Sequence, residues 1–338
     1  MPSSSSCSAD VIVVGGGVIG LSTALELRRQ GLRVSLIERN PIGRGGASWA
    51  GGGILAPLAP DGVDEAVLPV LLESLARYPQ WCAELQALSG IDPEYWVCGM
   101  RVLSPLDASA WQALSERCGL SLQGRADPHE GLHFPEVAQV RSPRLLQALA
   151  GAARSLGVDV IERERVVEIL GGSRVSAVRT DRQTHSTGLV VLAAGAWSSE
   201  LSADARVQPA RGQMLLLDAQ PGEIKGIRLG QGMYLIPRRD GRVVAGSTLE
   251  LQGFLDLPTA DGREQILAAV TCLAPELEGR AVLDHWSGLR PAPIDGAPRI
   301  GWAESRRGLL LNTGHYRLGI TLAPGSARLA ARLVSASR

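Results

Sequence analysis

A glycine pattern near the start of the chain, placed between an apolar run and an amphipathic segment, limits the fold most strongly. The pattern is G-x-G-x-x-G and consists of Gly15, Gly17 and Gly20. The β-branched run Asp10 to Val14 before it predicts a strand, and the segment after it predicts a helix that ends at Gly31. In this setting the glycines allow a tight turn, the approach of a pyrophosphate to the backbone, and close packing of the helix.

An acidic residue stands where a second nucleotide contact is needed. The predicted second strand, Arg33 to Ile37, is followed by Glu38, 18 residues after Gly20. A carboxylate there accepts hydrogen bonds from ribose hydroxyls, and it repels the additional phosphate of NADP. An isolated G-x-G-x-x-G is also found in ordinary turns, but strand, helix and acid together predict a bound adenine dinucleotide. The motif does not distinguish NAD from FAD.

Three later segments favour FAD, and each also has an ordinary structural interpretation. ASWAGGGIL (47–55) offers backbone without side chains, against which a flat ring can lie, although a flexible surface loop can have a similar sequence. VLAAGAW (191–197) is an apolar strand that ends in small residues, as a tightly packed strand also does. In NTGHYRLGITLAP (312–324) a helix begins, and its N-terminus would stabilise negative charge on a reduced flavin.

The remaining pattern predicts alternating helices and strands, with an antiparallel region in the second half. The predicted elements are a glycine-dense loop (Gly43 to Gly53), helices (Asp64 to Leu88, Arg144 to Leu156, Ile320 to Val334), strands (Val158 to Glu162, Gly308 to Leu311), a meander of short strands leading back to the core sheet (Val166 to Leu192), and a hairpin (Met233 to Pro237 and Arg242 to Ser247). Asp240-Gly241 is the turn signal of that hairpin.

Composition excludes several classes of protein. The 34 basic and 34 acidic residues cancel, so we expect no nucleic-acid partner and no membrane-surface role. No apolar run reaches the roughly 20 residues of a membrane helix. Five widely spaced cysteines without a C-x-x-C pair predict neither a disulfide framework nor a metal site, and they fit a reducing cytoplasm: Cys7, Cys82, Cys98, Cys118 and Cys272. The Ser-rich residues 1–9 are expected to be a disordered tail without the features of a secretory signal.

Blocks spread over the whole chain resemble one family. GGGVIGLSTALEL with Glu38, WAGGGIL, YLIPRRDGR, HWSGLRP and GHYRLGITLAP occur in order between about Asp10 and Val334. Together they resemble the D-amino-acid oxidase superfamily of FAD-dependent oxidoreductases, and within it the bacterial glycine oxidases of thiamine biosynthesis. The resemblance implies an α/β fold: a Rossmann-like FAD domain (10–85, 140–207 and 284–338) with an inserted α+β substrate domain (86–139 and 208–283) that contains an antiparallel sheet.

The resemblance also implies which short segments contact FAD. These are Gly15, Gly17, Val18, Ile19 and Gly20 at the pyrophosphate turn, Glu38 and Arg39 at the adenosine ribose, Val166 at the adenine, Ala47, Ser48, Gly52, Gly53 and Ile54 along the flavin with Gly195 nearby, and Gly314, His315, Tyr316, Arg317, Leu318, Gly319, Ile320 and Thr321 at its far edge. Leu318 departs from the asparagine that is usual in glycine oxidases. No cysteine lies near it, where sarcosine oxidases attach their flavin, so we expect FAD to be bound non-covalently.

Three residues are expected to bind substrate. Arg290, in GLRP, matches the arginine that holds the substrate carboxylate, and a guanidinium fork suits this because it binds a carboxylate at two points. An arginine in an arbitrary loop is more often a solvated charge, but the apolar context WSGLRPAP and the resemblance favour the substrate role. Tyr234 matches a tyrosine beside that carboxylate, and Arg317 a further contact. Gly232 replaces a histidine found in some relatives, which would reshape the pocket entrance.

The implied reaction is oxidative deamination of glycine, or of other small amines, to an imine or glyoxylate, ammonia and hydrogen peroxide, with O₂ as acceptor. Hydride leaves from a carbon held over the flavin when the amine is neutral, so no side-chain base is required and we predict none. His315 is expected to be a structural donor near the cofactor. The resemblance further implies a homotetramer in the cytoplasm that serves thiamine thiazole synthesis.

Other functions remain open at this point. The same arginine would hold the carboxylate of sarcosine, another N-substituted glycine or a small D-amino acid. A dehydrogenase that passes electrons to a quinone would need the same pocket. A non-catalytic flavin-binding subunit is the alternative from another class.

Overall fold

A computed structural model describes residues 9–103, 107–124 and 131–338. The predicted tail 1–9 therefore lies outside the described residues except for Ala9. The strands are β1 (Val11–Val14), β2 (Val34–Glu38), β3 (Ile54–Leu55), β4 (Trp96–Val97), β5 (Met100–Val102), β6 (Gln123–Gly124), β7 (Leu132–Phe134), β8 (Ala138–Gln139), β9 (Asp159–Glu162), β10 (Val166–Leu170), β11 (Ala177–Thr180), β12 (Thr184–Ser186), β13 (Val190–Leu192), β14 (Val207–Leu217), β15 (Ile227–Gly230), β16 (Met233–Pro237), β17 (Val243–Gly246), β18 (Val282–Pro293), β19 (Arg299–Trp302) and β20 (Leu309–Thr313). The α-helices are α1 (Val18–Arg29), α2 (Gly46–Ala50), α3 (Leu68–Ser89), α4 (Ala108–Cys118), α5 (Ser142–Ser155), α6 (Ser198–Leu201), α7 (Ala260–Leu273) and α8 (Gly319–Ala336).

A six-stranded sheet in the order β19-β20-β13-β1-β2-β9 forms the first half of the architecture. Its strands are parallel except β19, which runs antiparallel to β20. β1 reads VIVV and is buried throughout, as expected for a central parallel strand that is covered on both faces. Helix α1 connects β1 to its parallel neighbour β2. This arrangement confirms the predicted Rossmann-like α/β class.

An eight-stranded sheet in the order β18-β14-β17-β16-β15-β5-β7-β6 forms the second half, and its pairs are antiparallel except β15 with β5. The predicted hairpin is confirmed as β16 and β17. Gly241 adopts φ +91° in its turn and donates to the carbonyl of Arg238 at 2.9 Å. The long pair β14 and β18 was not predicted, because prolines, which lack an amide donor, interrupt its strand pattern, and Pro209 lies opposite Pro291.

Three predicted elements differ from the structure. The supposed loop Gly43 to Gly53 contains helix α2, which begins at Gly46. Gly45 and Gly46 have positive φ at this start, and the helix packs the partly buried Trp49 against the apolar core. Helix α3 begins at Leu68 rather than Asp64, and this start places Pro69 in the first turn, where its missing amide costs no helical hydrogen bond. β10, β11 and β12 form a separate antiparallel sheet, and from the predicted meander β13 alone joins the core sheet.

The predicted domain limits remain a prediction, although the sheets bear on them. The limit at 207 coincides with the first residue of β14. The limit at 284 falls inside β18, which pairs with β14 in the eight-stranded sheet.

The cysteines at 82, 98, 118 and 272 are free thiols. Among the described helices, none has both the length and the apolar character to cross a membrane.

Candidate flavin and substrate site

A cavity of about 650 Å³ lies at the carboxyl ends of the parallel strands and extends to the eight-stranded sheet. Residues that follow β1, β2, β13 and β20 line one side, and residues of β14, β16 and β18 line the other. Ligands of open α/β sheets bind at this edge, because the loops after the strands diverge there.

Packing requires the first and third glycines of the G-x-G-x-x-G turn. Gly15 has φ +108°, and a Cβ there would lie 2.4 Å from the carbonyl oxygen of Ala193. A Cβ at Gly20 would lie 1.8 Å from the carbonyl oxygen of Gly15. Gly17 precedes helix α1 without a side-chain cap of its own, and the Val18 amide instead donates to Ser48 Oγ at 3.0 Å. The helix N-terminus thus opens on the cavity, which fits a pyrophosphate.

The carboxylate of Glu38 is fixed at the end of β2. It accepts hydrogen bonds from the amides of Gly16 at 2.6 Å and Asn40 at 2.9 Å. The neighbouring Arg39 places its guanidinium carbon 3.4 Å from the ring centre of Trp197, and Phe254 stacks on that ring at 5.5 Å. Burial lowers the pKa of Arg39. A carboxylate and a flat cation–aromatic stack therefore stand at the predicted ribose end of the cavity.

In residues 50–54, here called the glycine loop, every carbonyl oxygen accepts a hydrogen bond from a different residue elsewhere in the chain. The donors are Trp286 Nε1 to Ala50 (3.0 Å), Ser142 Oγ to Gly51 (2.6 Å), the Arg238 guanidinium to Gly52 (2.8 Å), the Val140 amide to Gly53 (2.9 Å) and Thr321 Oγ1 to Ile54 (3.1 Å). None of these five donors is among the residues that line the cavity.

This anchoring leaves the amides of Gly52 and Gly53 free. The C=O and N–H of a trans peptide point in opposite directions, so holding the carbonyls of Gly51 and Gly52 turns the next two N–H groups away from the donors. Neither amide has an acceptor within the described ranges, and both residues line the cavity. A Cβ at Gly53 would lie 2.0 Å from the carbonyl oxygen of Val140, and its φ is +80°. The loop thus offers a flat wall with two donors, which fits a flavin ring.

Most residues predicted to contact the cofactor line this one cavity. They are Gly15, Gly17, Val18, Ile19, Glu38, Arg39, Ala47, Ser48, Gly52, Gly53, Ile54, Val166, Gly195, His315, Tyr316, Arg317, Gly319 and Ile320. Four others lie behind its wall: Gly20 packs on Gly15, Thr321 holds the Ile54 carbonyl, Leu318 packs into an apolar cluster, and Gly314 makes the turn after β20 with φ +81°. These four support the wall instead of lining the cavity.

His315 belongs to a buried chain of hydrogen bonds that joins α8 to the first turn of α1. Ser326 Oγ donates to Asn312 Oδ1 at 2.6 Å, so the hydroxyl accepts from His315 Nε2 at 2.9 Å. Asn312 Nδ2 donates to Thr23 Oγ1 at 3.0 Å, and Thr23 donates to the Ile19 carbonyl at 2.7 Å. Burial lowers the pKa of His315 to about 3. The imidazole is therefore neutral near pH 7 and is a structural donor.

Arg290 reaches the cavity from the eight-stranded sheet. It lies on β18 opposite Ala210. Its guanidinium lies flat against Gly212, where a Cβ would be 2.0 Å from Nη1. It donates to Ser247 Oγ at 2.6 Å and to the Thr248 carbonyl at 3.3 Å. No ion pair joins it to a carboxylate of the described residues, so the cation is available to an acidic ligand.

Tyr234 and Arg317 line the same cavity as Arg290. The Tyr234 hydroxyl donates to Met214 Sδ at 3.4 Å, and the ring lies 3.2 Å from the position that a Cβ on Gly52 would take. Arg317 Nε is buried and has no acceptor among the described residues. The three residues predicted to bind substrate therefore line one cavity, and Tyr234 lies beside Gly52 of the glycine loop.

Two residues at the site were not predicted from the sequence. Glu164 is buried, lines the cavity, accepts from Thr180 Oγ1 at 2.7 Å and lies 2.6 Å from His185 Nε2. Burial alone would raise the pKa of Glu164, but hydrogen bonds from His185 and Thr180 outweigh it and leave the pKa below its ordinary value. Arg238 lies behind the glycine loop. Its only sequence signal is the RRDGR turn, and that signal does not distinguish it from its exposed neighbour Arg239.

These features fit a dinucleotide and an acidic ligand that share one cavity. The family model described as FAD dependent oxidoreductase (DAO) matches residues 10–333, and the chain belongs to this family. The match settles the choice between NAD and FAD in favour of FAD.

Individual relatives are close over the whole chain. Glycine oxidase of Pseudomonas putida is 39% identical, over 95% of this chain and 93% of that protein. The bifunctional protein ThiO/ThiG of Trichormus variabilis is 34% identical over 96% of this chain, which corresponds to 52% of that longer protein. The crystal structure of glycine oxidase from Geobacillus kaustophilus superposes with a TM-score of 0.89 at 29% identity, covering 97% of this chain and 95% of that one. The predicted family is thereby confirmed.

Proposed function

We propose that the chain is a glycine oxidase. The observation that carries the proposal is Arg290, a cation with no ion-pair partner in the described chain, which faces the same cavity as the glycine loop. Relatives named glycine oxidase support the choice of amino acid. The overall reaction converts glycine, O₂ and water to glyoxylate, ammonia and hydrogen peroxide. FAD held by the G-x-G-x-x-G turn and the glycine loop would supply the redox chemistry, as acceptor of a hydride from the substrate α-carbon and donor of two electrons to O₂.

The protein's own residues bind and orient the substrate. Arg290 binds the carboxylate through its fork, and Gly212 allows the guanidinium to lie flat. Tyr234 and Met214 line the same cavity and are joined by a hydrogen bond, so they would limit the room beside the carboxylate and favour a substrate without a bulky side chain. The amine nitrogen, neutral when it reacts, forms the C=N bond as hydride leaves, and water then releases ammonia. His315 takes no part in proton transfer, because it is buried and its pKa is about 3.

The residue roles stated in the sequence analysis are part of this proposal, as are non-covalent FAD binding, a cytoplasmic location and a homotetrameric assembly. A role in supplying thiamine thiazole synthesis is supported by the resemblance and by the bifunctional relative ThiO/ThiG. Light scattering of the purified protein tests the assembly. Boiling tests the cofactor, because non-covalent FAD is released into the supernatant while covalent flavin stays with the precipitate.

A peroxide assay with the purified yellow protein tests the activity. Glycine, sarcosine, D-alanine and D-proline are compared under air, and we expect the highest kcat/KM with glycine. A higher value with sarcosine would favour the secondary-amine alternative. Reduction of a quinone without peroxide formation would identify a dehydrogenase, and absence of flavin reduction by every amine would leave a flavin-binding subunit.

A further inference from the structure

Arg238 is a buried cation behind the glycine loop. Its guanidinium donates to Gln139 Oε1 at 2.6 Å, to the Val140 carbonyl at 3.2 Å and to the Gly52 carbonyl at 2.8 Å. All three acceptors are neutral. Burial lowers the pKa of Arg238 to about 10, which leaves it protonated near pH 7.

The charge of Arg238 has no direct ion-pair partner among the described residues. Glu94 and Asp240 act on it from beyond ion-pair distance, and both of these pair with Arg141. By contrast, the charge of another buried arginine, Arg211, is balanced by an ion pair with Glu250. A buried charge without a counter-charge destabilises a protein, so Arg238 favours a negative group bound nearby.

The peptide bond between Gly52 and Gly53 connects Arg238 to the cavity. The guanidinium holds the Gly52 carbonyl, and the Gly53 N–H on the same peptide plane points the other way. That amide has no acceptor within the described ranges and belongs to a residue that lines the cavity. A cation on the carbonyl polarises the peptide and strengthens its N–H as a donor.

We propose that Arg238 is a positioning residue for the flavin. It fixes the Gly53 N–H toward the ring, and its positive charge favours flavin states that carry additional negative charge. The proposal rests on FAD occupying the cavity beside the glycine loop, and it does not depend on the identity of the amino-acid substrate.

Three variants separate charge from hydrogen bonding. Arg238→Lys keeps the charge, Arg238→Gln keeps a donor without the charge, and Arg238→Met removes both. The matched control is Leu85→Ala, which removes volume from a fully buried position of α3 away from the cavity. Folding of each variant is followed by circular dichroism.

The first readout is the affinity of each FAD-loaded protein for sulfite, which adds to oxidised flavin and leaves a negative charge on it. We expect Arg238→Lys to stay within about threefold of the unmodified protein. Arg238→Gln and Arg238→Met should bind sulfite on the order of tenfold more weakly, because removal of a nearby unit charge in a protein interior changes the binding constant of a charged ligand by about that factor. The second readout is FAD affinity of the apoprotein, which should fall furthest in Arg238→Met, since it loses the donor as well.

The results that would overturn the proposal are distinct. Equal sulfite affinity in all three variants, or an effect as large in Leu85→Ala, would show that Arg238 has only a structural role. A loss in Arg238→Lys as large as in Arg238→Gln would exclude the charge effect. If Arg238→Gln failed to fold while Arg238→Lys folded, the positive charge would be required for folding and not for positioning the flavin. None of these measurements uses an amino acid, so they stand apart from the test of glycine oxidation.

Discussion

The two walls of the cavity are built by opposite means. The cofactor wall, made of the G-x-G-x-x-G turn and the glycine loop, presents backbone, and side chains behind it hold that backbone in place. The substrate wall presents side chains, and backbone flatness at Gly212 merely makes room for one of them. A flat, extended cofactor is recognised by main-chain donors, whereas a small charged substrate is recognised by one guanidinium fork.

The difference predicts how each wall responds to change. An added methyl group at Gly15, Gly20 or Gly53 should disturb folding and FAD binding together, because the clash at these three positions is with backbone. A truncation on the substrate wall should impair turnover and leave FAD in place.

Replacement of Arg290 should have the largest effect. Arg290→Ala leaves the substrate carboxylate unpaired, which lowers kcat/KM for glycine by about thirty-fold to several thousand-fold, equivalent to roughly 2–5 kcal/mol. Arg290→Lys keeps one charge-assisted bond and should fall in the lower part of that range. Peroxide formation at matched flavin content measures this. Arg228→Ala is the control, because Arg228 lies in the same sheet, away from the cavity. Near-normal kcat/KM in Arg290→Ala would mean that another residue binds the substrate carboxylate, and Arg317 would be the next residue to test.

An added methyl group at Gly20 should act on the cofactor wall. The Cβ of Gly20→Ala would lie 1.8 Å from the Gly15 carbonyl oxygen, so α1 must shift away from the turn. We expect a stability loss of about 1–3 kcal/mol and weaker FAD binding. Gly188→Ala is the matched control, since a Cβ there meets nothing within 4 Å. Urea unfolding and FAD titration measure both effects, and indistinguishable results for the two variants would contradict the packing argument.

Low pH should lower the stability of the fold through the buried imidazole of His315. Its native pKa is about 3, while the unfolded imidazole has its ordinary value near 6.5, so only the unfolded state binds a proton between these values. Stability is therefore lost as pH falls below about 6.5, by about 1 kcal/mol between pH 7 and pH 5.5. His315→Gln should lose less than the unmodified protein over this interval in urea unfolding. An identical pH dependence in both proteins would mean that His315 titrates normally.

An effect of similar size is expected for one of the side chains that hold the glycine loop. Ser142→Ala removes the hydrogen bond to the Gly51 carbonyl and should weaken FAD binding by about 1 kcal/mol, roughly fivefold. Ser155→Ala, in the last turn of the same helix α5, removes a hydroxyl that bonds within that helix and should leave FAD affinity unchanged. Equal FAD affinities for both variants would show that the loop holds its shape without this donor.

The sequence predicted the cofactor wall better than its support. Gly15, Gly17 and Glu38 follow one another within a short local pattern, and the parallel strand and helix around them follow from apolar periodicity. Arg290 was found through a resemblance, since nothing local separates it from a solvated arginine. Arg238 was missed because its contact with Gly52 spans 186 residues and depends on the position of the β16–β17 hairpin. Proline in β14 and β18 hid the strands that carry the substrate wall.

Anaerobic mixing of the purified yellow protein with glycine tests most directly that one cavity holds FAD against the glycine loop and an amino acid on Arg290. We predict that glycine bleaches the flavin absorbance, that air restores it with one peroxide per flavin oxidised, and that Arg290→Ala remains yellow under the same conditions. Flavin that stays oxidised with glycine in the unmodified protein, or that bleaches equally in Arg290→Ala, would contradict this arrangement.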